Sequence, residues 1–324
     1  MRSGSEWLWD QHTCLPLHPD ADIDLLTRYL RPGAGGFTSV NVGYSPHSMA
    51  ESLAMLGSFR SAVDTHPRLQ LGDTVDSIES AVATGRIAVA FDLEDSGPLE
   101  GDLETVHRFA ALGVRTMLPT YNHVNAAGCG CLDAHDTGLT AWGRALVAEM
   151  NAAGIVVDGS HCSRKTGLDL CDVSMAPVVY SHSCLRSLWD HPRNITDDQA
   201  RACAATGGVV GITGVGIFLG PNTPTIDAMV QHIEAAVDLV GIDHVGVSTD
   251  YSFDYQDFLE ELTANPSLFD ESYTRWGPIQ WMAPELLLTV GAALADRGWP
   301  DQHIRAVLSG NFSRVARQVW PTEP

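Results

Sequence analysis

The sequence is poor in positive charge. Lys165 is its only lysine, and 40 acidic residues outnumber 19 lysines and arginines, which gives a formal net charge of −21. Such a chain would repel phosphate backbones, so we expect no nucleic-acid partner. The acidic excess favours solubility and by itself indicates no mechanism.

Long apolar runs are also missing. No stretch approaches about 18 uninterrupted apolar residues, the length that a membrane-spanning helix needs, and the segment after Met1 lacks the apolar core of a signal peptide. The seven cysteines are an odd number and favour reduced thiols. We therefore expect a cytoplasmic protein with no membrane association. Cys129 and Cys131 are too close in sequence to predict a metal site alone, and we interpret them as free loop thiols.

What the sequence does contain is an alternation of short Val- and Ile-rich runs with amphipathic stretches. Such runs, ended by polar residues, are typical of parallel strands buried on both faces. An open doubly wound sheet is the alternative fold, but no G-x-G-x-x-G follows the first run. Eight strands alternating with helices predict an α/β fold of the (β/α)8 TIM-barrel type. The predicted strands lie near Trp7–Trp9, Phe37–Val42, Ile87–Leu93, Val114–Leu118, Ile155–Val157, Val178–Tyr180, Val209–Ile212 and Val245–Val247.

Helices are predicted between these strands. Two of them, Asp102–Leu112 and Thr140–Ala153, precede a glycine that suits a helix C-terminus. The chain is 44% hydrophobic and shows no linker, so we predict one barrel domain over residues 1–324. A helical extension from about residue 255 is predicted to pack outside the barrel. The other predicted helices cover Asp22–Leu30, Ser48–Val63, Asp73–Ala83, a segment from Thr196 to Gly207, and Thr225–Val240.

Reactive side chains follow the predicted strands at their carboxyl ends, where barrel enzymes place their sites. They combine imidazoles, carboxylates and a thiol, which are ligands of divalent metals and of Zn²⁺ in particular. One such histidine alone is more often structural, but this set at one end of a barrel predicts a metal site. The residues are His12 and Cys14 after strand one, Glu94 after strand three, Tyr121 after strand four, His161 after strand five, His182 after strand six, and Asp250 after strand eight.

The chain resembles the membrane dipeptidase (renal dipeptidase) family of zinc metallopeptidases, whose members are amidohydrolase-like barrels. The similarity runs from about Trp9 to at least Tyr251. The motifs that carry it are Gly138-Leu139-Thr140-Ala141-Trp142-Gly143, Val157-Asp158-Gly159-Ser160-His161-Cys162-Ser163, Ala176-Pro177-Val178-Val179-Tyr180-Ser181-His182-Ser183, His191-Pro192-Arg193-Asn194-Ile195-Thr196-Asp197 and Val240-Gly241-Ile242-Asp243-His244-Val245-Gly246-Val247.

The resemblance implies a role for each matching residue. His161 and His182 correspond to the pair that holds one zinc, and Glu94 to the metal-bridging glutamate, although Asp95 replaces the usual small residue after it. Asp250 corresponds to the aspartate that handles the proton of the attacking water. Arg193 corresponds to the arginine that receives the substrate carboxylate; the alternative is a surface arginine in a loop before a helix.

Two positions depart from the family. The family opens with Asp-Gly-His-Asn-Asp, whose histidine and second aspartate hold the other zinc, and here Cys14 stands in place of that aspartate. Tyr121 stands where the family has a substrate-orienting histidine, and His123 is two positions away. Three outcomes remain open: two metals with Cys14 as a ligand, one metal on His161 and His182, or different chemistry.

The resemblance implies a metal-dependent hydrolase, most simply a dipeptidase with zinc as cofactor and a small dipeptide as substrate. The alternatives are hydrolysis of a non-peptidic amide, a lactam or a lactone, and a non-catalytic barrel that binds a ligand. The retained Asp250 argues against the last, because binding alone requires no proton-transfer group. A homodimer is also suggested by the resemblance.

Overall fold

Parallel strands and helices alternate along the chain in the computed structural model, which describes residues 7–31 and 34–322. The strands are short and almost wholly buried, as the Val- and Ile-rich runs predict. Their bounds are β1 Leu8–Thr13, β2 Gly36–Asn41, β3 Leu69–Leu71, β4 Ile87–Leu93, β5 Val114–Met117, β6 Val156–Asp158, β7 Val178–Val179, β8 Val210–Thr213 and β9 Val245–Ser248.

Eight of these strands close into a barrel. Hydrogen-bonded neighbours follow the order β1, β2, β4, β5, β6, β7, and β8 pairs with β9. A parallel bridge between Tyr180 and Val210 joins the two sheets. Closure comes where β9 meets β1: Asp250 N donates to His12 O at 3.0 Å, and Cys14 N donates to Tyr251 O at 3.0 Å. The predicted TIM barrel is thereby confirmed.

Strand β3 is an addition that the sequence did not predict. It pairs with the first half of β4, with Leu69 opposite Ile87, whereas β5 pairs with the second half of β4 from Phe91 onward. Its sequence, Leu-Gln-Leu, contains no Val or Ile, so the Val- and Ile-rich pattern that indicates the other strands does not occur there. The described residues thus form nine strands, not the eight predicted.

Helices surround the barrel and begin and end at the signals expected of them. Ser48 caps α1 in a capping box with Glu51, and Gly154 ends α4 with φ of 71°, where a side chain would be strained. The helices are α1 Met49–Thr65, α2 Val75–Ala83, α3 Thr105–Ala111, α4 Ala141–Ala153, α5 Arg164–Val173, α6 Asp197–Ala205, α7 Gly216–Leu219, α8 Ile226–Val240, α9 Tyr255–Ala264, α10 Pro284–Leu287, α11 Val290–Asp296, α12 Asp301–Arg305 and α13 Asn311–Val319.

Two predicted helices need correction, and two were missed. Residues Ile23–Tyr29 form a 3-10 helix, and α3 begins at Thr105, three residues later than predicted. Helix α5, Arg164–Val173, and the single turn α7, Gly216–Leu219, were not predicted. Both are short, and α5 is polar on average. No helix of the described residues is both long enough and apolar enough to cross a membrane.

The last helix closes the barrel at the amino-terminal ends of the strands. Phe312 of α13 packs so closely that a Cβ on Gly246 would lie 2.3 Å from its ring. Trp9, Phe37 and Trp320 belong to the same buried cluster. This packing leaves the opposite, carboxyl end of the barrel for the reactive side chains.

Candidate metal centre

The structure brings together all of the predicted metal-binding side chains at the carboxyl end of the barrel. His12 lies at the end of β1, and Glu94 directly follows β4. His161 and His182 lie in the loops after β6 and β7, and Asp250 follows β9. Residues spread along most of the chain therefore converge because parallel strands end at the same rim.

Glu94 is the centre of this cluster. Its Oε1 lies 3.0 Å from His161 Nε2 and 3.5 Å from the Nε2 atoms of both His12 and His182. Asp250 Oδ1 lies 3.6 Å from His12 Nε2. One ligand atom each from His12, Glu94, His182 and Asp250 lies within 4.8 Å of the others, which is close enough for a shared ion.

Each histidine ring is fixed through its other nitrogen. His12 Nδ1 is 3.0 Å from Asp92 Oδ1, His161 Nδ1 is 2.8 Å from Asn122 Oδ1, and His182 Nδ1 is 2.7 Å from Ser181 Oγ. This leaves the three Nε2 atoms directed at the cluster, which is the arrangement found in metal-binding histidines.

His182 provides the test of whether an ion fits. Its Nε2 is buried and has no hydrogen-bond partner, and its nearest carboxylate oxygen, Glu94 Oε1, lies 3.5 Å away. A buried nitrogen without a partner is costly, and a divalent cation would satisfy it together with the neighbouring carboxylates. The donor set of imidazole and carboxylate suits such an ion.

The electrostatics of the cluster follow from its burial and its opposite charges. Burial lowers the pKa of His12, but Asp92 and Glu94 override it and raise that pKa well above its ordinary value. Burial raises the pKa of Glu94, but His12 and the other imidazoles hold it well below the usual range. Burial raises the pKa of Asp250 to about 7. The buried carboxylates and imidazoles therefore interact strongly through their opposite charges.

Two of these residues have an unusual backbone. His161 has φ of 64° and Asp250 has φ of 51°, values that are uncommon for residues with a side chain. Such conformations persist where the surrounding structure holds them, and they concentrate at functional sites.

The remaining predicted site residues also lie at this end. Cys14 Sγ is 3.6 Å from His12 Nε2. Tyr121 stacks on His161, with ring centroids 4.1 Å apart. Arg193 is only 2% exposed, which excludes the surface alternative; it donates to His182 O at 3.3 Å, and its Nε has no partner. His123 contacts Asp133 and is not part of the cluster.

A cavity of about 90 Å³ opens onto the cluster. Its inner wall includes Cys14, Glu94, Tyr121 and Asp250, and its outer wall comes from the C-terminal part of the chain. The residues of that outer wall are Asp257, Phe258, Glu261, Phe269, Tyr273, Ile279 and Trp281.

Sequence reasoning missed the residues that orient the histidines. Asp92 precedes Glu94 by two positions, Asn122 follows Tyr121, and Ser181 precedes His182. Each lies within two positions of a predicted site residue near a strand end, and that position was the available signal. Sequence position alone did not indicate which histidine each of these residues contacts, because the closed barrel determines which ring faces which side chain.

Comparison with known proteins identifies the family. The family model described as membrane dipeptidase (peptidase family M19) matches residues 33–278. The chain belongs to the membrane dipeptidase family. The matched region contains Glu94, His161, His182 and Asp250, and it begins after His12 and Cys14.

Similar proteins of the family differ in length from this chain. An uncharacterised dipeptidase of Schizosaccharomyces pombe is 35% identical over 188 residues, which is 55% of this chain and 45% of that protein. Dipeptidase 3 of Rattus norvegicus is 27% identical over 83% of this chain and 52% of its own length. The chain thus spans about half the length of these curated relatives. Among solved structures, an amidohydrolase from Pseudomonas aeruginosa superposes with a TM-score of 0.87 at 26% identity, covering 97% of each chain.

Proposed function

We propose that this protein is a metal-dependent hydrolase that cleaves the amide bond of small dipeptides. The observation that carries the proposal is the buried group of three imidazoles around Glu94, each ring held through its second nitrogen, with Asp250 beside it. Membership of the membrane dipeptidase family supports the same reaction.

His12, Glu94, His161 and His182 would hold the metal, which we propose to be zinc, with two ions in the complete site. When bound, such ions polarise the scissile carbonyl and bring the pKa of a water near neutrality. Glu94 is central to the proposal, since its Oε1 lies within 3.5 Å of three Nε2 atoms.

Asp250 would move the proton. It lines the cavity and approaches the cluster through Oδ1, so it can accept a proton from the attacking water and deliver it to the leaving amine.

Arg193 and Tyr121 would orient the substrate. No carboxylate within the described ranges forms an ion pair with Arg193, although its guanidinium is buried over the ring of Phe218. A buried, unpaired guanidinium favours an anion, and the terminal carboxylate of a dipeptide provides one. Tyr121 lines the cavity and would donate its phenol proton to the carbonyl oxygen.

The presence of Tyr121 also supports a second candidate reaction. A phenol in place of an imidazole changes how a carbonyl is recognised, so a lactam, a lactone or another non-peptidic amide belongs among the substrates to be tested. The cytoplasmic location and the homodimer remain predictions from the sequence.

The test is a screen of zinc-loaded protein against L,L-dipeptides, dipeptides with a D-residue, lactams and lactones, with metal content measured on the same sample. We expect dipeptide hydrolysis that is lost in Asp250→Asn while the metal content is kept. Asp238→Asn, a change of an exposed carboxylate on α8, should leave the activity unchanged. Protein that binds no metal, or that is equally active as Asp250→Asn, contradicts the proposal.

A further inference from the structure

Cys14 is held in a fixed position beside the cluster. Its N donates to Tyr251 O, and its O accepts from Phe253 N, both at 3.0 Å. His12 and Cys14 are two residues apart along an extended segment, so their side chains point to the same side. The result is a distance of 3.6 Å from Cys14 Sγ to His12 Nε2, the ring atom that also faces Glu94 and Asp250.

This environment differs from that of the structural cysteines. Cys203 Sγ donates to Val178 O at 3.1 Å, and Cys184 Sγ approaches Thr213 O at 3.8 Å. Both are fully buried and use a backbone carbonyl as partner. Cys14 is half-buried and lines the cavity, and its hydrogen-bonding partner is the ring nitrogen of His12. A thiol placed for packing alone would not need this neighbour.

A second, independent feature points to an ion at this place. His182 Nε2 is buried without a hydrogen-bond partner, and the rings of His182 and His12 stack with centroids 4.2 Å apart. The ligand atoms of His12, His182 and Glu94 therefore lie together, and the Cys14 sulfur lies beside them through its contact with His12.

We propose that Cys14 is a thiolate ligand of this centre, together with His12 and Glu94, and that it makes this half of the centre selective for ions that bind sulfur. Sulfur, nitrogen and carboxylate donors suit Zn²⁺, Co²⁺ and Cd²⁺, whereas Mn²⁺ and Mg²⁺ prefer oxygen. As the metal–sulfur bond forms, the thiol proton passes to solvent and no electrons are transferred. The proposal rests on the metal centre of the proposed function and not on its substrate.

The experiment uses the full chain, stripped of metal with a chelator and titrated with Co²⁺. Thiolate bound to Co²⁺ absorbs in the near ultraviolet by charge transfer from sulfur, whereas imidazole and carboxylate ligands do not give that band. We expect the band in the unaltered protein and in Cys171→Ser, a matched change of another half-buried cysteine on α5. We expect no band in Cys14→Ser or Cys14→Asp.

Cys14→Asp keeps an ionised ligand at this position, so Co²⁺ should still bind and the loss of the band can be assigned to sulfur. In that variant the ratio of Zn²⁺ to Mn²⁺ affinities should fall by about tenfold or more, because the donor set becomes harder. Co²⁺ bound without the band, or a band that persists in Cys14→Asp, overturns the role of Cys14 and leaves the hydrolase proposal intact. Failure of the unaltered protein to bind Co²⁺ overturns both.

Discussion

At the residue scale, the orientation of the histidines depends on side chains that do not themselves face the cluster. Asn122 is the most connected of these. Its Oδ1 accepts from His161 Nδ1 at 2.8 Å and from Tyr273 Oη at 3.1 Å, and its Nδ2 donates to Leu268 O at 2.9 Å. One amide therefore links a metal-site histidine to the C-terminal wall of the cavity.

Removal of this amide should weaken metal binding. We expect Asn122→Ala to lower the affinity for Zn²⁺ by about 10–100-fold, the usual effect of removing a group that orients a ligand histidine. Asn122→Asp keeps the acceptor for His161 and should recover much of the loss. The measurement is a competition titration with a chromophoric chelator. Equal affinities of Asn122→Ala and the unaltered protein would show that His161 needs no such support.

The sequence predicted the residues that face the cluster better than those that support them. His12, Glu94, His161, His182 and Asp250 stand at strand ends, and the barrel rule brings strand ends together. Asp92 and Asn122 also lie at strand ends, beside Glu94 and Tyr121, but that position alone does not say which side chain each one contacts. Their partners are set by ring orientation, and only the folded barrel determines that. The loop sequence around Arg193 likewise did not show whether that residue is buried or exposed.

At the scale of elements, the C-terminal part of the chain does more than cover the barrel. Helix α9 contributes Phe258 and Glu261 to the cavity, and Tyr44 donates its phenol proton to Glu261. The segment after α9 adds Phe269, which meets the ring of Tyr121 edge-on. The sequence predicted helices here. It could not predict that their side chains line the cavity, because the rule that brings strand ends together says nothing about a segment outside the barrel.

Helix α8 carries a buried histidine that should make stability depend on pH. His232 is 1% exposed, its Nε2 lies 3.3 Å from Leu219 O, and its Nδ1 has no partner. Burial lowers its pKa from 6.5 to about 4. Between pH 6.5 and 4 the unfolded chain binds a proton that the folded chain does not. The contribution of His232 is therefore complete above pH 6.5 and is lost as the pH falls towards 4.

We expect the free energy of unfolding to fall between pH 7 and pH 5 by about 2 kcal/mol more in the unaltered protein than in His232→Gln. Glutamine keeps a donor for Leu219 O and cannot be protonated in this range. Urea unfolding at the two pH values gives the difference, and the other histidines cancel because both proteins contain them. Parallel losses in the two proteins would show that His232 does not titrate as its burial indicates.

At the scale of the whole molecule, the hydrogen bonds that close the barrel lie directly beside part of the metal centre. The first and last strands meet at Asp10, whose carboxylate is fully buried. Its Oδ1 accepts from Thr249 N at 2.8 Å and from Ser248 Oγ at 3.1 Å, and its Oδ2 accepts from Tyr29 Oη at 2.6 Å. These bonds fix the turn that leads into Asp250.

Loss of this carboxylate should therefore destabilise the fold strongly. Asp10→Ala leaves the buried Thr249 N–H without its acceptor and removes the shortest hydrogen bond of Tyr29 Oη, so we expect the free energy of unfolding to fall by about 3 kcal/mol. Tyr29→Phe removes the bond to Asp10 and the longer contacts of Tyr29 Oη with Thr13 Oγ1 and Thr249 Oγ1, both at 3.2 Å. It leaves the carboxylate of Asp10 with its other donors, so the loss should be about 1 kcal/mol. Urea unfolding followed by circular dichroism measures both.

Equal losses would mean that closure depends on the backbone bonds between β1 and β9, such as Asp250 N to His12 O, rather than on Asp10. The graded result would instead place one buried carboxylate at the point where the ends of the barrel are joined and Asp250 is positioned.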